Sequence, residues 1–231
     1  MTHAINRACA ALVLLLATAL AAQARIYSLR ESGGGERVEN ALAPNWVLTQ
    51  TVKVNGAKGK LRVGYAGGSM HKTLAELARV LPDYRKGRNE RAILIDIPAD
   101  DQLERWFVLN LRQGSAFTIF HLTIPRAGLD NNAADYWPDD LPQPVGCRID
   151  QVMQLQERGG VYATFSRGGK GAGLYDNYDQ ALQAQGWQRT SHSRNGGVYL
   201  HAERSALLTF SVIPGEQRTH AAVYQCPITS R

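Results

Sequence analysis

Cysteine is scarce in this chain of 231 residues: there are three, Cys9, Cys147 and Cys226. None stands in a C-x-x-C pair, and none has the short local spacing of a zinc knuckle. A dithiol redox centre and a cysteine-built metal site therefore lack their motifs. Acidic residues are fewer than basic ones, 20 against 26, for a formal charge of +6. No apolar run beyond the N-terminus approaches the roughly 18 residues of a spanning helix, which argues against a polytopic membrane protein. Low complexity is missing too. With 44% hydrophobic and 20% charged residues, the composition suits globular domains and not a disordered or fibrous chain.

Catalytic signatures are equally absent. The stretch Gly168-Gly169-Lys170-Gly171-Ala172-Gly173 precedes a helical pattern but has no Ser or Thr after its Lys, so it is not a phosphate loop. Gly67-Gly68-Ser69-Met70-His71 lacks the final Gly of a nucleophile elbow, and Ser69 reads as a helix cap. The histidines His71, His121, His192, His201 and His220 form no H-x-H or H-E-x-x-H pattern. His121 alternates with Phe117 and Ile119 on one strand face and reads as a hydrogen-bonded, half-buried residue. Asp130, Asp135, Asp139 and Asp140 lack the calcium-loop spacing. The sequence thus points to no metal and no cofactor, and leans away from an enzyme.

Several positive signals remain. Residues 1–24 combine Arg7, an apolar core around Leu12–Leu16 and the small-x-small site Ala22-Gln23-Ala24. That is the pattern of a secretory signal peptide, with export to a periplasm or the cell exterior as its consequence. In an oxidising compartment, Cys147 and Cys226 are expected to form a disulfide.

After a Gly- and charge-rich stretch at 25–44, read as a flexible lead-in, the chain reads as two similar α+β units. The first covers 45–126. Trp46–Val54 alternates, Asn55-Gly56 signals a hairpin, and Leu61, Val63 and Tyr65 alternate again. A helix follows at Met70–Leu81, then three strands. Residues 146–231 repeat that order, and residues 150–165 lie on 50–65 at a shift of 100 without a gap. The second helix ends at Gly186, with Trp187 set to fold back onto Leu182. The expected architecture is two tandem ββαβββ units, each an antiparallel sheet packed on one helix. They are joined by an Asp-, Asn- and Pro-rich linker at 127–145. At the level of architecture alone, such a pair resembles the helix-grip modules that occur in tandem in some outer-membrane assembly lipoproteins, without their lipidated cysteine.

The densest basic run, Arg85, Lys86, Arg88 and Arg91, suits an anionic surface component or an acidic protein. Export and the lack of a recognised module speak against nucleic acid. The leading expectation is an exported, non-catalytic binding or assembly module acting on another cell-envelope component. Two alternatives stand beside it: a carrier of a small apolar ligand lined by Trp106, Phe120 and Trp187, and a hydrolase without a recognisable motif. The first expectation is directly measurable. N-terminal sequencing of the exported protein should begin at Arg25, and an intact Met1 would remove the export reading.

Overall fold

The computed structural model describes residues 25–29, 33–67, 69–81, 92–98, 101–109, 117–157, 159–169, 173–193, 195–213 and 217–228. The signal-like segment and the basic run Arg85, Lys86, Arg88 and Arg91 lie outside the described residues. The fold is sheet-rich and mostly antiparallel, with three α-helices among the described residues. Among those residues no helix is long and apolar enough to cross a membrane.

Two compact units divide the chain. One gathers the described residues from Arg25 to Val52 together with Ala57–Leu129. The other gathers Lys53–Gly56 and the chain from Asp130 onward.

In the N-terminal unit the elements are β1 (Arg25–Ser28), α1 (Gly34–Leu42), β2 (Pro44–Val54), β3 (Ala57–Ala66), α2 (Met70–Val80), β4 (Ala92–Pro98), β5 (Gln102–Leu109) and β6 (Thr118–Pro125). The sheet order is β1-β4-β5-β6-β3-β2, with β1 and β4 parallel. Ser69 caps α2 as its sequence implies, accepting from the Lys72 amide at 3.4 Å. The stretch 25–44 is not a plain lead-in. It forms β1 and α1, and Leu29, Val38 and Leu42 are buried with Leu77, Leu81, Ile93, Ile95, Trp106 and Ile119 in one core. The glycines that suggested looseness instead permit close packing. A Cβ on Gly34 would stand 3.0 Å from Leu29, and one on Gly35 would overlap the Glu104 carboxylate.

The C-terminal unit contains a 3-10 turn (Ala133–Tyr136), β7 (Arg148–Leu155), β8 (Gly160–Gly168), α3 (Leu174–Ala184), β9 (Gln188–Ser193), β10 (Gly196–His201), β11 (Ala206–Ile213) and β12 (Arg218–Pro227). Its order is β7-β8-β12-β11-β10-β9. Helix α3 stops as expected. Gly186 takes φ 88°, its amide donates to the Gln183 carbonyl at 3.0 Å, and the Trp187 amide donates to the Leu182 carbonyl at 3.1 Å. The acidic stretch at 127–145 is more than a linker, because Ala133 and Leu141 are buried in this unit's core with Tyr136 and Trp137 against it. The Asn55-Gly56 turn has both residues at positive φ, 43° and 88°, as a type I′ hairpin requires. The Val152 amide donates to Asn55 Oδ1 at 2.8 Å.

Neither unit is a bare ββαβββ. The first adds β1 and a second helix, and the second adds β9. Read from β2 and from β7, five places of the strand order correspond; the sixth holds parallel β1 in one unit and antiparallel β9 in the other. The gapless shift of 100, however, places residues of opposite faces on one another. Val152, Ala163 and Phe165 face α3. On the first sheet Ala66 and Ile119 face the helices, and Ile119 is opposite Gly64. Val63 and Tyr65, one residue out of step with those, point the other way, since strand side chains alternate.

No disulfide joins Cys147 and Cys226, which corrects the expectation from compartment and count. Register explains why. Arg148 pairs with Ser166 and Gln225 with Val161, so the two cysteines lie beyond opposite ends of β8. Seven residues at about 3.3 Å along the strand, with two strand spacings across, put them roughly 25 Å apart, whereas a disulfide needs Cα atoms within about 7 Å. Reducing agent should therefore move the melting temperature by no more than about 1 °C. A bond closing that loop would contribute about 4 kcal/mol. Its loss would lower the midpoint by roughly 8 °C or more, and a drop of that size would restore the disulfide.

Candidate functional site

The described residues bring together one cluster of charged, titratable and aromatic side chains that the sequence did not single out. It lies on the helix-facing side of the N-terminal sheet. Register assembles it: Arg62 on β3 is opposite His121 on β6, and His121 is opposite Trp106 on β5. Glu104 on β5 is opposite Thr123 on β6. Helix α1 adds Glu39 from above, and β2 adds Trp46.

Arg62 is the hub. Its two terminal nitrogens donate to Glu39 Oε1 and Oε2, both at 2.9 Å, in the bidentate geometry that suits guanidinium and carboxylate. The indole N–H of Trp46 donates to the same carboxylate at 3.1 Å. The guanidinium carbon sits 4.2 Å from the centre of the Trp46 ring, within cation–π range. Arg62 Nε donates to His121 Nδ1 at 3.0 Å, and one terminal nitrogen lies 2.6 Å from the same atom.

An arginine has no acceptor to offer, so Nδ1 of His121 must present its lone pair. A neutral ring then carries its proton on Nε2, which faces Glu104 Oε2 at 3.3 Å and Thr123 Oγ1 at 3.4 Å. The His121 ring stacks on Trp106 with centroids 3.8 Å apart. Gln102 donates to the other oxygen of Glu104 at 3.1 Å.

These contacts hold both carboxyls below their ordinary value of 4.5. For Glu39 the leading cause is the hydrogen bond from Arg62, which outweighs the opposing effect of burial. For Glu104 it is the hydrogen bond from His121, again against burial.

A second polar cluster lies in the C-terminal unit. Asp179 on α3 is buried. It accepts from Tyr199 at 2.7 Å, Gln183 at 2.7 Å and Arg189 at 2.9 Å. Burial pushes the Tyr199 and Tyr178 hydroxyls far above the ordinary phenol range.

Of the residues singled out from sequence, His121 and Trp106 lie in the first cluster and the others fall elsewhere. His71, His192 and His220 are exposed. His201 is buried and touches the Gln185 carbonyl at 3.0 Å. His201 and His220 pair with Ala206 and Ile213, at opposite ends of β11, and so do not meet. Among the described residues no group of three or more His, Cys, Asp or Glu could hold a metal ion. The aromatics proposed to line a ligand cavity are buried: Trp106 and Trp187 belong to the two helix-side cores, and Phe120 is only 6% exposed. Four large apolar side chains are exposed among the described residues instead: Val145 at 93%, Ile228 at 47%, and two on the N-terminal sheet. Val47 is 68% exposed and Tyr65 48% exposed, both on the side of the sheet away from the helices.

No family model, no curated protein and no solved structure matches this chain.

The depressed carboxyls have a signed consequence. A group held lower in the folded state stabilises above its unfolded value and loses that contribution as pH falls through its folded value. Unfolding free energy measured with urea should fall as pH drops below about 4.5, where these carboxyls begin to take up protons in the unfolded chain. Glu104→Gln should flatten that slope and lower stability at neutral pH by about 1–3 kcal/mol. A Glu104→Gln variant with the wild-type acid slope would remove Glu104 from this account.

Proposed function

We propose that the protein is an exported, non-catalytic binding or assembly module that engages another component of the cell envelope. The observation that carries this reading is the exposure of Val47 and Tyr65 on the sheet side opposite the helices. Apolar side chains in such positions cost nothing when a protein partner covers them. The charged groups of both clusters support the same reading, because each is engaged by partners within its own unit. Glu39 and Glu104 meet Arg62 and His121, and Asp179 meets Arg189. Groups so engaged act as fasteners, and among the described residues neither cluster sets a base beside a nucleophile. A carrier of small apolar ligands is less well supported, since Trp106, Phe120 and Trp187 are packed among their own neighbours.

The corresponding strand orders support descent of the two units from one α+β ancestor, with the shift of 100 as a misregistered overlay. A tandem pair offers two surfaces, and joint engagement raises avidity without any new contact. In this reading the run Arg85, Lys86, Arg88 and Arg91 supplies attraction to an acidic partner or an anionic surface.

Crosslinking in the native cell, followed by mass spectrometry of what co-purifies with the tagged protein, tests the proposal. The expected result is a defined envelope protein, captured in stoichiometric amount. Its capture should fall at least about tenfold in Val47→Asp/Tyr65→Ser and in Arg85→Glu/Lys86→Glu/Arg88→Glu variants that melt like the wild type. Capture that is unchanged in both variants would overturn it.

A further inference from the structure

We propose that the contact between Arg62 and His121 is a proton-operated latch that seats helix α1 on the sheet. This inference concerns the fold's own response and does not rest on the binding reading above.

Geometry and charge count pull in opposite directions at this point. With His121 neutral, the cluster holds two carboxylates, Glu39 and Glu104, against one permanent cation, Arg62. A proton on His121 would balance it, and Glu104 already lies against Nε2 to pair with the imidazolium. The ring's remaining position for that proton is Nδ1, which faces the Arg62 guanidinium at 2.6–3.0 Å. Two donors, both cationic, cannot occupy that distance. Taking up a proton from solvent at Nδ1 therefore converts an acceptor into a donor, and Arg62 must withdraw. The imidazolium stays paired with Glu104, and the arginine remains a cation.

The same arginine is the sheet's polar grip on α1, through both oxygens of Glu39. When it withdraws, α1 loses both of those bonds and Glu39 keeps the Trp46 indole as a donor, while Val38 and Leu42 stay buried. Gly33 and Ala43 flank it at φ 74° and 43°; the N-terminal end has no side-chain cap, and the C-terminal end is closed by the Ala43 amide on the Glu39 carbonyl. The charged groups around His121 are accounted for by element. Glu39 comes from α1, Arg62 from β3 and Glu104 from β5. Lys60 on β3 pairs with Thr123 beside the ring and is exposed. Helix α2 packs beside α1. There His71 and Lys72 are exposed, and Glu76 and Arg79 pair with each other.

Hydrogen exchange of residues 34–42 in the full chain tests the latch, corrected for intrinsic rates, between about pH 8 and pH 5.5, the range over which histidine switches. Protection of α1 should fall about tenfold or more on acidification. The fall should be absent in His121→Gln, which offers Arg62 an oxygen acceptor and cannot be protonated, and retained in His71→Gln. A second readout needs no variant: the Nδ1 nitrogen resonance of His121 should change from unprotonated to protonated with the same midpoint as the loss of protection. Three results would overturn the proposal: pH-independent protection of α1, a fall that persists in His121→Gln, or protonation of His121 that leaves α1 protected.

Discussion

The N-terminal unit depends on how one arginine is accommodated. Arg62 keeps only 20% of its side-chain surface in water. Removing a guanidinium from water costs several kcal/mol unless good geometry returns it. Here the return comes from four elements at once: a carboxylate on α1, an indole face on β2, an imidazole lone pair on β6 and, through that ring, a carboxylate on β5. Glu39 and His121 depend on the arginine in turn. Glu39 without Arg62 would be a half-buried carboxylate with one indole donor. His121 without it would keep a buried nitrogen with no donor. The interaction is therefore a constraint on placement. Helix α1 must lie where Glu39 reaches the fork, and that position also brings Gly35 against Glu104, where only a glycine fits.

The C-terminal unit meets a related demand with different chemistry. Asp179 is more deeply buried than Glu39, so its oxygens need three donors, and they receive a phenol, an amide and a guanidinium. In both units a carboxylate on a helix is tied to a cation on the sheet. Yet Glu39 sits on α1, which has no counterpart in the second unit, and Asp179 sits on α3. The strand order is common to the halves; the fasteners are not. That is the expected pattern if a sheet layout is set by backbone pairing while each helix is secured locally.

Much of the fold was legible because its signals are local. Asn55-Gly56 demands positive φ twice, Ser69 caps, and Gly186 with Trp187 ends a helix, and all three form as their chemistry requires. Most strands were found within two or three residues. Strand β9 was missed because Gln188–Ser193 is wholly polar and wholly exposed, so no burial alternation marks it. Helix α1 was missed because glycines that suggest flexibility were serving close approach. The Arg62 cluster was invisible for a longer-range reason. In Leu61-Arg62-Val63 the arginine alternates with apolar neighbours and so looks solvent-facing. It is instead the helix side of the sheet that carries Arg62, while Leu61 and Val63 face the other way. Alternation tells which residues share a face; it cannot say which face a helix will cover. The same ambiguity produced the misregistered overlay of the two halves. The disulfide expectation failed on register too, since compartment and count say nothing about which end of β8 each cysteine reaches.

The contrast between β9 and the β2–β3 surface bears on what the fold is for. Among the described residues strand β9 ends the sheet order and pairs only with β10. It is guarded: its side chains are all polar, and a register shift at Val198/Tyr199 bends the pairing beside it. A chain that defends one edge so thoroughly leaves Val47 and Tyr65 undefended on an outward face. Neither contributes to the helix-side core of its unit, and a threonine at either position would keep the strand while removing the apolar surface. The helix-side core requires neither side chain, and their exposure is what supports the proposed docking role.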